Sequence, residues 1–303
     1  MAPLNQRIKN DWQLYLFLLI PVVYIIIFAY IPMAGAQIAF RRYSARLGIW
    51  GSPWAGLDNI KRFFESYQFR RVLVNTIALS VLTIAVSFPV PIIFALLMNS
   101  LELPVFKKVS QTIVNLPHFI SIVVLVGMLF QVLNANTGFY GNIMMALTGN
   151  KPPDLFAKPE NFRIMYVASN VWQGFGWGSI IYLAALSGVS PELHEAAIID
   201  GATRFQRIRY VDFPSILPTV TIMLILRMGS VMSIGFEKVF LMQNGLNLPM
   251  SEVISTYVYK VGLTGTSDFS YSTAIGLFNS VINMILIAGV NFAAGRMGDT
   301  SLW

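Results

Sequence analysis

Residues 194–218 read HEAAIIDGATRFQRIRYVDFPSILP, and where this stretch sits decides how the whole chain is understood. It carries charge at Glu195, Asp200, Arg204, Arg207, Arg209 and Asp212, yet it lies between two predominantly apolar runs, 164–187 and 216–240. Just upstream, Ser190 is a candidate helix N-cap and Pro191 suits the first helical position, with Glu192 and Glu195 near the positive end of the helix dipole. A short helix is predicted there. Ala196 and Ala197 keep one surface of it slim, and Gly201 supplies a turn that a residue with a Cβ would resist. A second helical piece is predicted near 203–210, ending before Pro214. The product is a compact charged knob.

Working outward, the surroundings are lipid-like. The chain has 303 residues, 55% hydrophobic and 12% charged, with a mean hydropathy of +0.63; an ordinary soluble domain carries about a quarter charged residues. Trimmed to the roughly 20 residues that cross a bilayer, the apolar runs give six expected spans, at about 14–36, 72–98, 113–133, 164–187, 216–240 and 271–293. No run alternates with the period of two that a barrel requires, so the spans are helices and the expected fold class is an all-α integral membrane protein in one domain, with the knob, 189–214, between spans four and five. The first run is too long for a signal peptide and is followed by Arg41 and Arg42 rather than a cleavage site, so it reads as a retained span. Pro21, Pro32, Pro89, Pro91 and Pro117 lie within or at the ends of spans and predict kinks. Gly174, Gly176 and Gly178 leave one part of span four almost bare, and Gly174 and Gly178 form a Gly-xxx-Gly pair suited to close helix contact.

The charge pattern excludes other classes. A net charge of +7 comes from short inter-helix segments and not from one basic stripe, which favours lipid headgroups over nucleic acid. A DNA-reading helix-turn-helix would have no supporting core in so short an insertion. There are no cysteines, so disulfides, thiolate metal sites and cysteine nucleophiles are excluded. Segment 41–71 interleaves Trp50, Trp54, Phe63, Phe64, Tyr67 and Phe69 with seven basic residues, in the manner of an interfacial amphipathic segment. These basic residues also mean that the positive-inside rule does not support an orientation with the N-terminus inside.

The spacing Glu195-Ala196-Ala197, three residues, Gly201, nine residues, Val211, one residue, Phe213-Pro214 resembles the EAA signature of ABC importer permeases. The family usually has Ile and Leu where Val211 and Phe213 stand. WAGLDNIKRFF (54–64), NLPHFISIVVLVGML (115–129), WGSIIYLAALSGVSPELHEAA (177–197), GSVMSIGFEKVFLM (229–242) and the terminal SLW (301–303) are similar to the branch linked to poly- and oligosaccharide uptake, which includes importers of alginate and of pectin-derived oligosaccharides. The resemblance implies a type I ABC importer transmembrane domain, in which the EAA helix is cytoplasmic and fits a cleft on a separate ATPase. Glu195, Ala196, Ala197, Asp200, Gly201 and Ala202 would then form the ATPase-coupling surface, with Asp200 bracing the turn. It also implies a second, unlike permease subunit, two ATP-binding subunits that use ATP and Mg, an extracytoplasmic solute-binding protein, a saccharide substrate, and a bacterial cytoplasmic membrane with both termini inside. The chain itself lacks a G-x-x-x-x-G-K-[ST] loop and needs no cofactor of its own.

Polar residues at membrane depth are costly and become candidates for the substrate path. These are Asn170, Trp172, Gln173 and Trp177 in span four, Asn279 and Asn283 in span six, and above all Arg227, expected near the midplane of span five. Each is open to two readings, a sugar contact or an inter-helix bond; for Arg227 these are attraction of an anionic sugar or pairing within the bundle. His118 reads as structural, since a lone His without an intramembrane carboxylate makes a poor proton relay. An ion-coupled secondary sugar transporter, the alternative, would carry intramembrane acids and inverted repeats. An intramembrane enzyme would need a metal or nucleophile motif, and neither H-E-x-x-H nor G-x-S-x-G occurs.

Overall fold

A computed structural model describes residues 12–265 and 267–297; the terminal SLW motif and both chain ends, on which the expected orientation turns, lie outside the described residues. The chain is helical, with only isolated bridges at Arg41–Trp54 and Ser44–Gly48 among the described residues. In chain order the main elements are α1 (Trp12–Phe40), α2 (Asp58–Glu65), α3 (Tyr67–Ser100), α4 (Pro104–Phe119), α5 (Ile122–Val132), α6 (Phe139–Thr148), α7 (Pro159–Ser187), α8 (Pro191–Ile199), α9 (Arg204–Met228), α10 (Phe236–Met242) and α11 (Phe269–Met297).

Among the described residues, α1, α3, α9 and α11 are long and apolar enough to cross a membrane, and α4 with α5 makes a fifth if this pair, bent by 98°, is one broken span. The expectation was six. The difference lies in α7, which has 29 residues but dilutes its apolar content with Asn161, Arg163, Ser169, Asn170, Gln173 and its glycines. The bend between α4 and α5 falls just after Pro117, and Ser121 opens α5 by accepting a hydrogen bond from the Val124 N–H at 3.3 Å.

Two expectations are corrected. Run 216–240 is not one helix: α9 stops at Met228, and Gly229 and Gly235 bracket a turn before α10 begins. That turn is held from outside, by the Ser80 hydroxyl donating to the Val231 carbonyl and by the Met232 N–H donating to Asn283 Oδ1 at 2.9 Å. Nor does the helix after the knob end before Pro214. It runs on as α9 because residues Ile208–Asp212 form a wide π turn, with the Phe213 N–H bonded back to the Ile208 carbonyl. A proline ring clashes with the carbonyl four residues before it, and the widened turn relieves that clash. The same device, Ile26–Tyr30, precedes Pro32 in α1.

The chain divides into two compact units. One comprises the described residues up to Ser66 together with Val258–Phe278. Its centre is Phe63 on α2, 1% exposed, with rings of Tyr271 and Phe278 edge-on at 6.4 and 5.5 Å. Arg62 pairs with Asp268 at 2.6 Å and lies 4.3 Å from the centre of the Tyr271 ring. The amphipathic reading of 41–66 is visible here: Phe63 turns inward while Trp50 and Trp54 stay 73% and 65% exposed.

The other unit comprises Tyr67–Tyr257 and the described residues from Asn279 onward. α7 is its axis. Phe162, Met165, Tyr166 and Val167 on α7 share a core with Leu79 of α3, Val126 of α5, and Val239 and Met242 of α10. Further along, Tyr182 and Leu186 pack with Ile92, Ala95 and Leu96 of α3 and Ile216 of α9. In lipid such association rests on packing and close backbone approach rather than on water exclusion. Gly176 provides that approach, because a Cβ there would collide with the Val114 carbonyl of α4. Gly178 is tight against Pro91, whereas Gly174 has open space, so the expected Gly-xxx-Gly pair is not the contact made.

Candidate functional site

The knob is built by local rules. Ser190 has the extended backbone of an N-cap, but its hydroxyl makes no capping bond, so Pro191 alone marks the start of α8. The end is a Schellman closure: the Ala202 N–H donates to the Ala197 carbonyl at 2.9 Å and the Gly201 N–H to the Ile198 carbonyl at 3.0 Å, with Gly201 at φ +77°. Thr203 and Gln206 then form a reciprocal capping box that starts α9. Glu195, Ala196, Asp200 and Gly201 are exposed, and Ala197 and Ala202 half-exposed. No residue of α8 is buried, and Ile198, Ile199 and Phe205 present 54%, 85% and 69% of their surface outward.

Behind the knob lies a buried polar joint that sequence reading missed. Asp212, on α9, is 2% exposed and has His194 Nε2 of α8 at 3.3 Å; the same Oδ1 accepts a hydrogen bond from Asn99 Nδ2, at the end of α3, at 3.1 Å. Glu102 and Arg204 form a more exposed pair at 3.0 Å. The only signal in the sequence is an acid in RIRYVDFPS facing the start of an apolar run.

The second feature is a cavity of about 350 Å³ between α3, α7, α9 and the 229–235 turn. Three of the predicted path residues, Asn170, Gln173 and Arg227, line it, together with Ser80, Thr83, Ser87, Tyr166, Ser230 and Ser233. No carboxylate is among its lining residues. Arg227 sits in the last turn of α9, where a cation complements the helix dipole, because α9 ends at Met228. Among the described residues no carboxylate comes within ion-pair distance of it. Gln173 Nε2 donates to the Ile120 carbonyl at 3.0 Å, closing the gap at the α4–α5 bend.

Asn170 Oδ1 accepts a hydrogen bond from Lys238 Nζ at 2.8 Å. Lys238 is 3% exposed, on α10 beyond the end of α9, and burial pushes its ammonium down to about 8. With its carbonyl oxygen held by Lys238, the amide of Asn170 turns its N–H₂ group toward other partners.

The remaining candidates lie elsewhere. Trp172 and Trp177 are 45% and 49% exposed outside the cavity. Trp177 stacks flat on His118, with ring centres 4.5 Å apart and 3° between planes, which gives His118 a packing role. Asn283 braces the 229–235 turn, accepting from Met232 and donating to the Ser233 hydroxyl at 2.8 Å. Asn279 has a buried Oδ1 without a hydrogen-bond partner and does not line the cavity.

Comparison with known proteins fits this arrangement. Residues 87–298 match the family model for the binding-protein-dependent transport system inner membrane component. The chain is 43% identical over 296 residues to Protein LplB of Bacillus subtilis (strain 168), covering 98% of this chain and 92% of the relative. It is 39% identical over 297 residues to the polygalacturonan/rhamnogalacturonan transport system permease protein YteP of the same organism, with coverage of 98% and 92%. A crystal structure of a bacterial alginate ABC transporter in complex with an alginate pentasaccharide-bound periplasmic protein contains a chain that superposes with a TM-score of 0.91 at 36% identity, covering 99% of this chain and 100% of that one. A second alginate importer structure gives a TM-score of 0.89 at 38% identity, with coverage of 97% and 98%. The chain therefore belongs to the family of binding-protein-dependent transport system inner membrane components: it is the membrane permease of an ABC sugar importer, with the type I importer fold, and a transport component rather than an enzyme.

Proposed function

We propose that this permease imports an oligosaccharide bearing carboxylate groups, and that the cavity holding Arg227 lies on the sugar's path. The observation that carries this reading is the polarity of that cavity: one guanidinium, a row of hydroxyl and amide groups, and no carboxylate among the lining residues. An unpaired cation in a membrane interior costs at least roughly 2.5–3.5 kcal/mol on insertion scales, which an anionic ligand offsets. The acidic polysaccharides handled by the alginate and polygalacturonan systems agree with such a wall.

In this reading the chain crosses the membrane six times, through α1, α3, the α4–α5 pair, α7, α9 and α11, with both termini cytoplasmic. α8 and the turn at Gly201 are the coupling knob, with Glu195, Ala196, Ala197, Asp200, Gly201 and Ala202 meeting a cytoplasmic ATPase; the exposed apolar side chains of Ile198 and Ile199 support a docked partner there. Two such ATPases supply ATP and Mg. A second, unlike permease completes the pathway, an extracytoplasmic solute-binding protein delivers the sugar, and transport proceeds by alternating access. The ion-coupled alternative gains no support from the cavity, which has no acid to carry a proton or sodium ion.

The test is ATP-driven uptake by the reconstituted assembly of an oligogalacturonate and of its carboxyl-reduced, neutral counterpart, each delivered by the binding protein. Arg227→Gln is expected to lower uptake of the charged sugar about tenfold more than that of the neutral one. Equal losses for both would remove Arg227, and with it the carboxylate, from the argument.

A further inference from the structure

The knob has little to hold it. None of the residues of α8 is buried, and the helix contributes no member to either apolar core described above. A rigid lever needs a firm joint, and the packing here does not provide one. What the structure offers in its place is the carboxylate of Asp212, 2% exposed, on which three separate elements converge: α9 through Asp212 itself, α8 through His194, and the end of α3 through Asn99. The groups surround a cavity of about 410 Å³, also lined by Glu102 and Arg207, so polar contacts and not apolar filling span this gap. The π turn Ile208–Asp212 ends at Asp212, which ties its position to the widening that Pro214 imposes.

We propose that Asp212 is the point at which the knob's displacement enters the bundle: it makes α8, α9 and the α3 end move as one body, so that a push on α8 reaches two membrane helices at once. This rests on the reading of α8 as the ATPase-docking helix. The geometry has a directional consequence. The Arg204–Glu102 pair is exposed and weakly bound, as surface pairs are, whereas the buried carboxylate loses a charged hydrogen bond whenever either partner departs. Asp212 is thus a positioning residue.

The experiment measures two quantities on the complete reconstituted assembly with its binding protein and the delivered oligosaccharide: stimulated ATP hydrolysis, and sugar moved per ATP hydrolysed. Asp212→Leu is expected to keep stimulated hydrolysis within about twofold while the sugar-to-ATP ratio falls roughly tenfold, the size of a typical coupling free energy. A merely structural role would lower hydrolysis and uptake in proportion and leave the ratio unchanged, and that result overturns the proposal. Should Asp212→Leu fail to assemble, His194 decides the matter: His194→Gln retains a donor toward Asp212 and is expected to keep the ratio, while His194→Leu loses it. Equal ratios for these two variants also overturn the proposal. Gly201→Asp, which forces a side chain into the knob's left-handed turn, tests the underlying reading separately. If it abolishes stimulated hydrolysis while the Asp212 and His194 variants stay coupled, only the transmission role fails. If it leaves hydrolysis and uptake intact, α8 is not the docking helix and both fall.

Discussion

Placing a methyl group at Gly176 is the most direct probe of how α7 sits in the bundle. A Cβ there meets the Val114 carbonyl group, with its carbon at 2.6 Å, and Asn115 Oδ1 at 2.9 Å. Ordinary contact begins near 3.4 Å, so clearing the carbonyl carbon alone asks α4 and α7 to separate by about 0.8 Å, and the carbonyl oxygen lies nearer still. The obstacle is backbone, which cannot swing aside as a side chain does. Overpacking of this kind costs about 1–3 kcal/mol, with the upper end apt for a rigid neighbour, against a gain of about 1 kcal/mol in helix propensity for Gly to Ala. Gly176→Ala should therefore be destabilising by about 2 kcal/mol. Gly174 is the internal control: no atom lies within 4 Å of its Cβ position, so Gly174→Ala keeps the propensity gain and meets no obstacle. Thermal unfolding of the detergent-purified protein, read for both variants beside the parent, should move in opposite directions. If Gly174→Ala proves as damaging as Gly176→Ala, the helix contact is the Gly-xxx-Gly pair of 174 and 178, and the α4–α7 packing described above is wrong.

Burial of Lys238 predicts a pH dependence with a definite sign. Its folded value of about 8 lies below the ordinary 10.5, so between those values the unfolded chain binds more protons than the folded one and stability rises with pH. Lys238→Met should be more stable than the parent below pH 8, an advantage that shrinks as pH approaches 10.5 and is read from unfolding curves across that range; a constant difference would refute it. Asn283→Ala should cost about 1–3 kcal/mol by leaving the buried Met232 N–H without its acceptor. Asn283→Asp, which keeps an accepting oxygen, should lose less, and a proteolysis assay of the 229–235 turn separates the two.

The sequence by itself determined the solvent, the helical class and the knob. Those are local or additive properties: apolar runs long enough for a bilayer follow from composition, and the start at Pro191 and the turn at Gly201 follow from backbone sterics that each residue carries with it. The φ of +77° at Gly201 is what a glycine placed there foretold. The family was legible too, because its signature sits in contiguous residues. What the tertiary structure decided is where side chains meet across elements distant in the chain. Lys238 and Asn170 are 68 residues apart and Asn99 and Asp212 are 113 apart, and no periodicity links them. Nor could composition tell that the run after Pro214 would stop at Met228, since the turn beyond it is held in part by Ser80 of α3 and Asn283 of α11, both distant in the chain. Arg227, Asn170 and Gln173 were visible as costly polar groups one by one. That they face one cavity depends on how α7 and α9 pack, which is settled by volumes and close contacts such as that at Gly176, and these exist only once the chain has folded.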